Sequence, residues 1–137
     1  MIVRPHSILL DAQALSALAA DDRRMQAWAT VVHRTDSTLH ASTVTLVEAT
    51  DGSPRDANVR RVSKAIRLEP VSETIGYRAG QLRAAASSTR HKPRDLTVDA
   101  VVAATALMLT EPTVVLTSDP GDLRRLLAGT HVTVEPI

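Results

Sequence analysis

Short apolar runs alternate with stretches of helical spacing along this 137-residue chain, and no other feature limits its fold as strongly. The run Ser7–Leu10 reads as a buried strand, followed by helical patterning over 12–20 and 23–33. Thr38–Ser42 is a second short strand and passes into a helix near 43–50. Asp51, Gly52, Ser53 and Pro54 form a strong break, with Pro54 placed at a helix N1 position. Residues 57–66 then show helical spacing at Val59, Val62 and Ile66, with Arg60, Arg61 and Lys64 on the other face. A strand at 68–71, a helix at 73–86 and a polar, basic loop at 87–94 follow. The segment 97–109 is apolar around most of its circumference, as expected of a buried helix. Thr113–Thr117 is continuous and rich in β-branched residues, the pattern of a central parallel strand. A helix at 120–127 and a strand at 132–134 close the chain. Strands that alternate with helices predict a three-layer α/β/α domain around a mostly parallel sheet of four or five strands. With no repeat and no linker, a single domain over 1–137 is the expectation.

Composition removes several classes of function. Cysteine is absent, which excludes disulfides and thiolate zinc sites and suits a reducing cytoplasm. The longest apolar stretch, 98–109, is too short to span a bilayer and is broken by Asp99 and Thr105. The first six residues lack the pattern of a signal peptide, so a cytoplasmic protein without a membrane partner is expected. Trp28 and Tyr77 are the only aromatic residues, too few for a stacking platform for single-stranded nucleic acid. Fourteen of the sixteen basic residues are Arg, the side chain suited to bidentate phosphate contacts. A GC-rich genome, which inflates Arg, Ala, Val, Asp and Thr together, accounts for much of that excess.

Four carboxylates stand where apolar runs meet turns or helix starts: Asp11, Glu48, Asp99 and Asp119. Desolvating a carboxylate costs several kcal/mol or raises its pKa, so apolar segments rarely carry one uncompensated. Each has a local explanation. Asp11 is placed to cap the helix that starts at Ala12, and Glu48 stands three residues after Thr45, the spacing of a capping box. Thr97 is placed to cap the helix in which Asp99 meets the positive end of the dipole. Asp119 precedes a Pro at N1, and Asp122 completes that first turn. The competing reading is collective. In an α/β sheet Asp11 and Asp119 fall beyond the carboxyl ends of strands, where sites form, and clustered like charges require a cation. The five histidines, His6, His33, His40, His91 and His131, lack metal-ligand spacing.

The segments around these acids resemble the PIN-domain ribonucleases, specifically the VapC-like toxins of bacterial toxin–antitoxin pairs. The first motif is Leu9, Leu10, Asp11, Ala12; the second runs from Ala41 to Glu48 and Ala49; the third is Leu96, Thr97, Val98, Asp99, Ala100 and onward. The last is Thr117, Ser118, Asp119 with Asp122 three residues later. The resemblance covers essentially the whole chain. It departs at Gln13, where the family often has a small or hydroxyl residue, and adds Asp95, read as a solvated loop residue.

The resemblance implies an endoribonuclease dependent on Mg²⁺ or Mn²⁺ and acting on structured RNA, such as tRNA, rRNA or mRNA. Asp11 and Asp99 would be the main metal ligands, with Glu48 and Asp119 completing the cluster directly or through water. Glu48 is a candidate general base, and Asp122 and Thr117 support the site from behind. Weaker candidates for RNA contact are Arg90, Lys92, Arg94 and Arg124, each equally readable as a solvated surface charge. A cognate antitoxin and a homodimer are the implied partners. The alternative is a PIN-like module that binds RNA or protein without catalysis. A phosphotransfer domain fits poorly: Asp11 has no adjacent acid, position 13 is Gln, and the only lysines are Lys64 and Lys92.

Overall fold

The computed structural model describes residues 4–87 and 95–137; of the expected loop at 87–94, Ser87 instead ends a helix, and the rest, with Arg90, Lys92 and Arg94, lies outside the described residues. The order is β1 (Ser7–Leu10), α1 (Ala12–Ala19), α2 (Arg23–Thr35), β2 (Thr38–Ser42), and a 3₁₀ turn (Thr43–Thr45) running into α3 (Leu46–Ala49). There follow α4 (Asp56–Ser63), β3 (Arg67–Glu69), α5 (Glu73–Ser87), α6 (Thr97–Met108), β4 (Thr113–Thr117), α7 (Pro120–Leu126) and β5 (Thr133–Pro136). The strands form one five-stranded sheet in the order β3-β2-β1-β4-β5, and every pairing is parallel. The architecture is α/β with helices on both faces.

Side chains alternate across the central strands and feed two apolar layers. Leu9 and Val115 point into the layer built with α5, α6 and α7, whereas Ile8, Leu10 and Leu116 join α1, α2 and α4. All four residues of β1 are buried, because it is covered on both faces and paired on both edges. Full burial of each of its Leu and Ile side chains contributes about 1.5–3 kcal/mol. In α6, residues 102–106 are buried without a break, which accounts for its lack of a polar face. Its alanines let neighbouring elements approach closely, and the buried Thr105 hydroxyl is satisfied by donating to the Val101 carbonyl at 2.7 Å. Among the described residues, no helix is long and apolar enough to cross a membrane.

The structure corrects some boundaries. The third strand is Arg67–Glu69 rather than 68–71: its pairing with β2 runs from His40 opposite Arg67 to Ser42 opposite Glu69, and Pro70 has no N–H to extend it. The last strand extends to Pro136, which stands opposite Thr117 on the sheet edge. Pro54 is not at N1, because α4 starts at Asp56. The buried Asp56 carboxylate organises that turn instead, accepting from the N–H groups of Asp51 (3.1 Å) and Gly52 (2.8 Å). Gly52 holds φ at +82°, a conformation that glycine adopts without strain.

From β1 the chain builds outward through β2 to β3, then returns to the other side of β1 to place β4 and β5. The strand order therefore reverses between β1 and β4, and the crevice beyond their carboxyl ends is where doubly wound sheets bind ligands.

Candidate active site

Asp11 is the first residue beyond β1. Its N–H continues the ladder to the Leu116 carbonyl at 3.2 Å, and its Oδ1 accepts from the Ala14 N–H at 2.8 Å, capping α1. The capping reading and the site reading thus fall on one residue. Leu10 pairs with Leu116, which sets Asp11 beside Thr117 across the strand ends. The Thr117 hydroxyl hydrogen-bonds the Asp11 carboxylate, and its oxygen accepts from the Asp119 N–H at 3.0 Å. Only 6% of the Asp11 surface remains exposed. Burial raises its pKa above the ordinary carboxylate value, against the lowering effect of its bonds to Thr117, Ala14 and Gln13, and the Glu48 charge adds to the rise.

The four carboxylates converge on one cleft of about 670 Å³, whose wall carries Asp11, Glu48, Asp99 and Asp119. Each comes from a different element. Glu48 is exposed on α3, whose start shows no side-chain cap; Thr45 instead donates to the Ser42 carbonyl at 2.7 Å, so the capping-box alternative is not realised. Asp99 is half-buried in the first turn of α6. Asp119 is exposed at the entry to α7, with Pro120 at N1 as anticipated, but its side chain makes no cap to that helix.

Asp95 also lines the cleft, which extends its expected role as a solvated loop acid. The capping expected of Thr97 is not realised: α6 starts at Thr97 itself with no side-chain cap, the Asp95 Oδ1 accepts from the Thr97 N–H at 2.9 Å in the turn before the helix, and the Thr97 hydroxyl accepts from Arg83 of α5, also at 2.9 Å. These bonds to Thr97 hold the Asp95 carboxyl below its ordinary pKa. Gln13 reaches across the cleft, accepting from the Ser118 hydroxyl at 2.5 Å and so tying the start of α1 to the β4–α7 connection.

Other expected residues lie elsewhere. Asp122 is buried in the first turn of α7 and is not part of the cleft wall. Arg124 is exposed on the same helix, 3.4 Å from the Val134 carbonyl of β5, and is also outside the wall. Arg24, a wall residue in the first turn of α2, is not among the residues expected at the cleft. A single Arg in a charged helix carries no local signal of its destination.

Among the described residues, no three acidic or histidine side chains stand close enough to form a ready-made metal cage. Asp11 is turned toward Ala14 and Thr117, and mutual repulsion keeps bare carboxylates apart. The donor set nevertheless fits a hard divalent cation. All its ligand atoms are carboxylate oxygens, and Mg²⁺ is commonly held by one or two carboxylates while keeping several waters.

No protein-family model matches the chain, and no curated protein matches it. Solved structures do. A chain of VapBC2 from Rickettsia felis, bound to a DNA fragment from the promoter, superposes with a TM-score of 0.72 at 11% identity, covering 96% of this chain and 98% of that one. FitAcB from Neisseria gonorrhoeae gives 0.64 at 22% identity, over 93% and 95%. DNA-bound VapBC from Salmonella typhimurium gives 0.63 at 18%, over 95% and 97%. At these identities the likeness is one of fold: the chain has the PIN-like α/β architecture of these proteins.

Proposed function

We propose that this chain is a divalent-metal-dependent endoribonuclease and the toxin of a toxin–antitoxin pair. The observation that carries the reading is that Asp11, Glu48, Asp99 and Asp119, drawn from four separate elements, line one cleft at the reversal of the strand order. The likeness to a toxin–antitoxin complex from Klebsiella pneumoniae and to the VapBC assemblies supports the biological setting, including a cognate antitoxin.

Asp11 and Asp99 would hold Mg²⁺ or Mn²⁺, with Asp119 and Glu48 completing the set directly or through water. When bound, such a cation supplies a water of lowered pKa and stabilises charge on the attacked phosphate. The protein's own groups do the rest. Thr117 and the Ala14 N–H fix the Asp11 carboxylate, so its orientation is set before any ligand arrives. Glu48, exposed and close enough for its charge to act on Asp11, is the group placed to accept a proton from a nucleophilic water. Hydrolysis then yields a phosphate monoester and a hydroxyl at the cut.

A second reading, a PIN-like module that binds RNA or protein without cleaving, is favoured by the absence of a ready-made trio of ligands among the described residues. One experiment separates the two. Purified protein is incubated with total RNA plus Mg²⁺ or Mn²⁺, with and without chelator, beside Asp11→Asn and Asp99→Asn. Chelator-sensitive cleavage lost in both variants supports the nuclease. Binding without cleavage in either metal supports the module, and cleavage indifferent to chelator and to both substitutions removes the assigned site.

A further inference from the structure

Five of the residues lining the cleft are acidic: Asp11, Glu48, Asp95, Asp99 and Asp119. A polyanion entering such a cleft is repelled, and one divalent cation offsets only part of that charge. Arg24 is the one cation on the wall among the described residues. Its guanidinium is held from below: Nε and Nη2 each donate to the Asp22 carboxylate at 3.0 Å, and Nη1 donates to the main-chain oxygen of Ile137 at 3.2 Å. Ile137 in turn donates its N–H to the Thr117 carbonyl at 2.9 Å, tying this corner to the strand end that carries the site.

An Arg has five N–H donors, and these contacts use three, leaving one each on Nη1 and Nη2. The side chain is 57% exposed, so the remaining pair is open to a ligand. Two N–H groups on a planar, permanently charged fork match two oxygens of a phosphate diester. Anchoring by Asp22 and Ile137 removes much of the rotamer entropy that a free Arg loses on binding.

We propose that Arg24 is a positioning residue that grips a backbone phosphate of the RNA next to the scissile one. The inference rests on the nuclease reading and adds a residue that gives the RNA backbone a bidentate partner at the edge of the acidic wall. In this role Arg24 sets the register of the strand in the cleft and takes no part in the bond cleavage itself.

The test is binding of a fluorescein-labelled RNA stem-loop by fluorescence anisotropy, over a series of KCl concentrations with Mg²⁺ present. All proteins carry Asp99→Asn so that the probe survives. Arg24→Gln is expected to weaken binding about tenfold and to reduce the slope of log affinity against log salt by about 0.7–1, the value of one phosphate contact. Arg24→Lys keeps the charge but loses the fork, and should recover the slope with only part of the affinity. Arg23→Gln, one residue away and off the cleft wall, removes the same charge and should change neither quantity. In the Asp99-intact enzyme, Arg24→Gln should raise KM more than it lowers kcat.

A lower melting temperature for Arg24→Gln with unchanged slope and affinity would make Arg24 a staple for α2 only and overturn the proposal. So would equal effects of Arg23→Gln and Arg24→Gln. If the protein with native Arg24 binds no RNA, and the enzyme with native Asp99 cleaves none, the nuclease reading falls and takes this inference with it.

Discussion

Thr117 and Asp11 sit side by side at the ends of adjacent parallel strands, and the threonine hydroxyl bonds the aspartate carboxylate while receiving the N–H of Asp119. One side chain thereby couples two acidic segments that lie over a hundred positions apart in the chain. Thr117→Val keeps the shape and removes the hydroxyl. The expected result is a loss of about 10–100-fold in activity or metal affinity, the usual effect of removing a group that orients a ligand. Steady-state kinetics over a Mn²⁺ titration, with circular dichroism to confirm the fold, measures it. Unchanged kinetics would show that Asp11 needs no such support.

Asp11 gives the opposite sign for stability and activity. Its folded pKa is raised, chiefly by burial, so its contribution to stability is fully present below the unfolded value near 3.8 and is lost as pH rises through the folded pKa. At neutral pH the ionised group therefore opposes folding. Asp11→Asn keeps the cap to Ala14, since Asn caps as well as Asp, and removes the buried charge. In chelator at neutral pH the variant should melt higher than the parent, with the gap closing toward acid pH, while RNA cleavage is lost. A lower melting temperature at neutral pH would contradict the account of Asp11.

Asp95 behaves in the reverse sense. Its folded pKa is lowered by the bonds to Thr97, so its contribution is present above the unfolded value near 3.8 and is lost as pH falls through the lower folded pKa. Asp95→Ala removes the bond to the Thr97 N–H at the entry to α6 and should lower the melting temperature at neutral pH, with the difference shrinking under strongly acidic conditions. Thermal scans across a pH series test this.

Leu9 links the sheet to the helices behind the site. It is fully buried in the layer formed with α5, α6 and α7, so Leu9→Ala should cost about 2–5 kcal/mol. Urea unfolding is the measurement, and a cost well under 1 kcal/mol would mean that the layer collapses around the lost side chain.

The main strands and helices were legible because their signals are local. Ser7–Leu10, Thr38–Ser42 and Thr113–Thr117 match the observed strands end to end, since an apolar run bounded by turn residues has few other uses. The edge strands shifted, because pairing partners rather than local pattern decide where a short edge strand stops. The acids were legible as a set, since each interrupts an apolar segment. Their individual capping roles were less so: Asp11 caps, Glu48 and Asp119 do not, and Thr97 opens α6 without capping it, because which residue starts a helix, and so which N–H groups need a cap, is set by packing rather than by local pattern.

By itself, then, the sequence determined the alternation of strands and helices, the parallel sheet and the set of acids that meet at one cleft. Those follow from periodicity and from the cost of placing charge in apolar segments. Tertiary structure alone decided that Thr117 stands beside Asp11, that Asp95 joins the cleft wall, that Arg124 faces β5, and that Arg24 is carried to the cleft wall. The physical reason is the same in each case. These relations depend on strand register and on the reach of long side chains across elements distant in the chain, and neither is encoded within a local window.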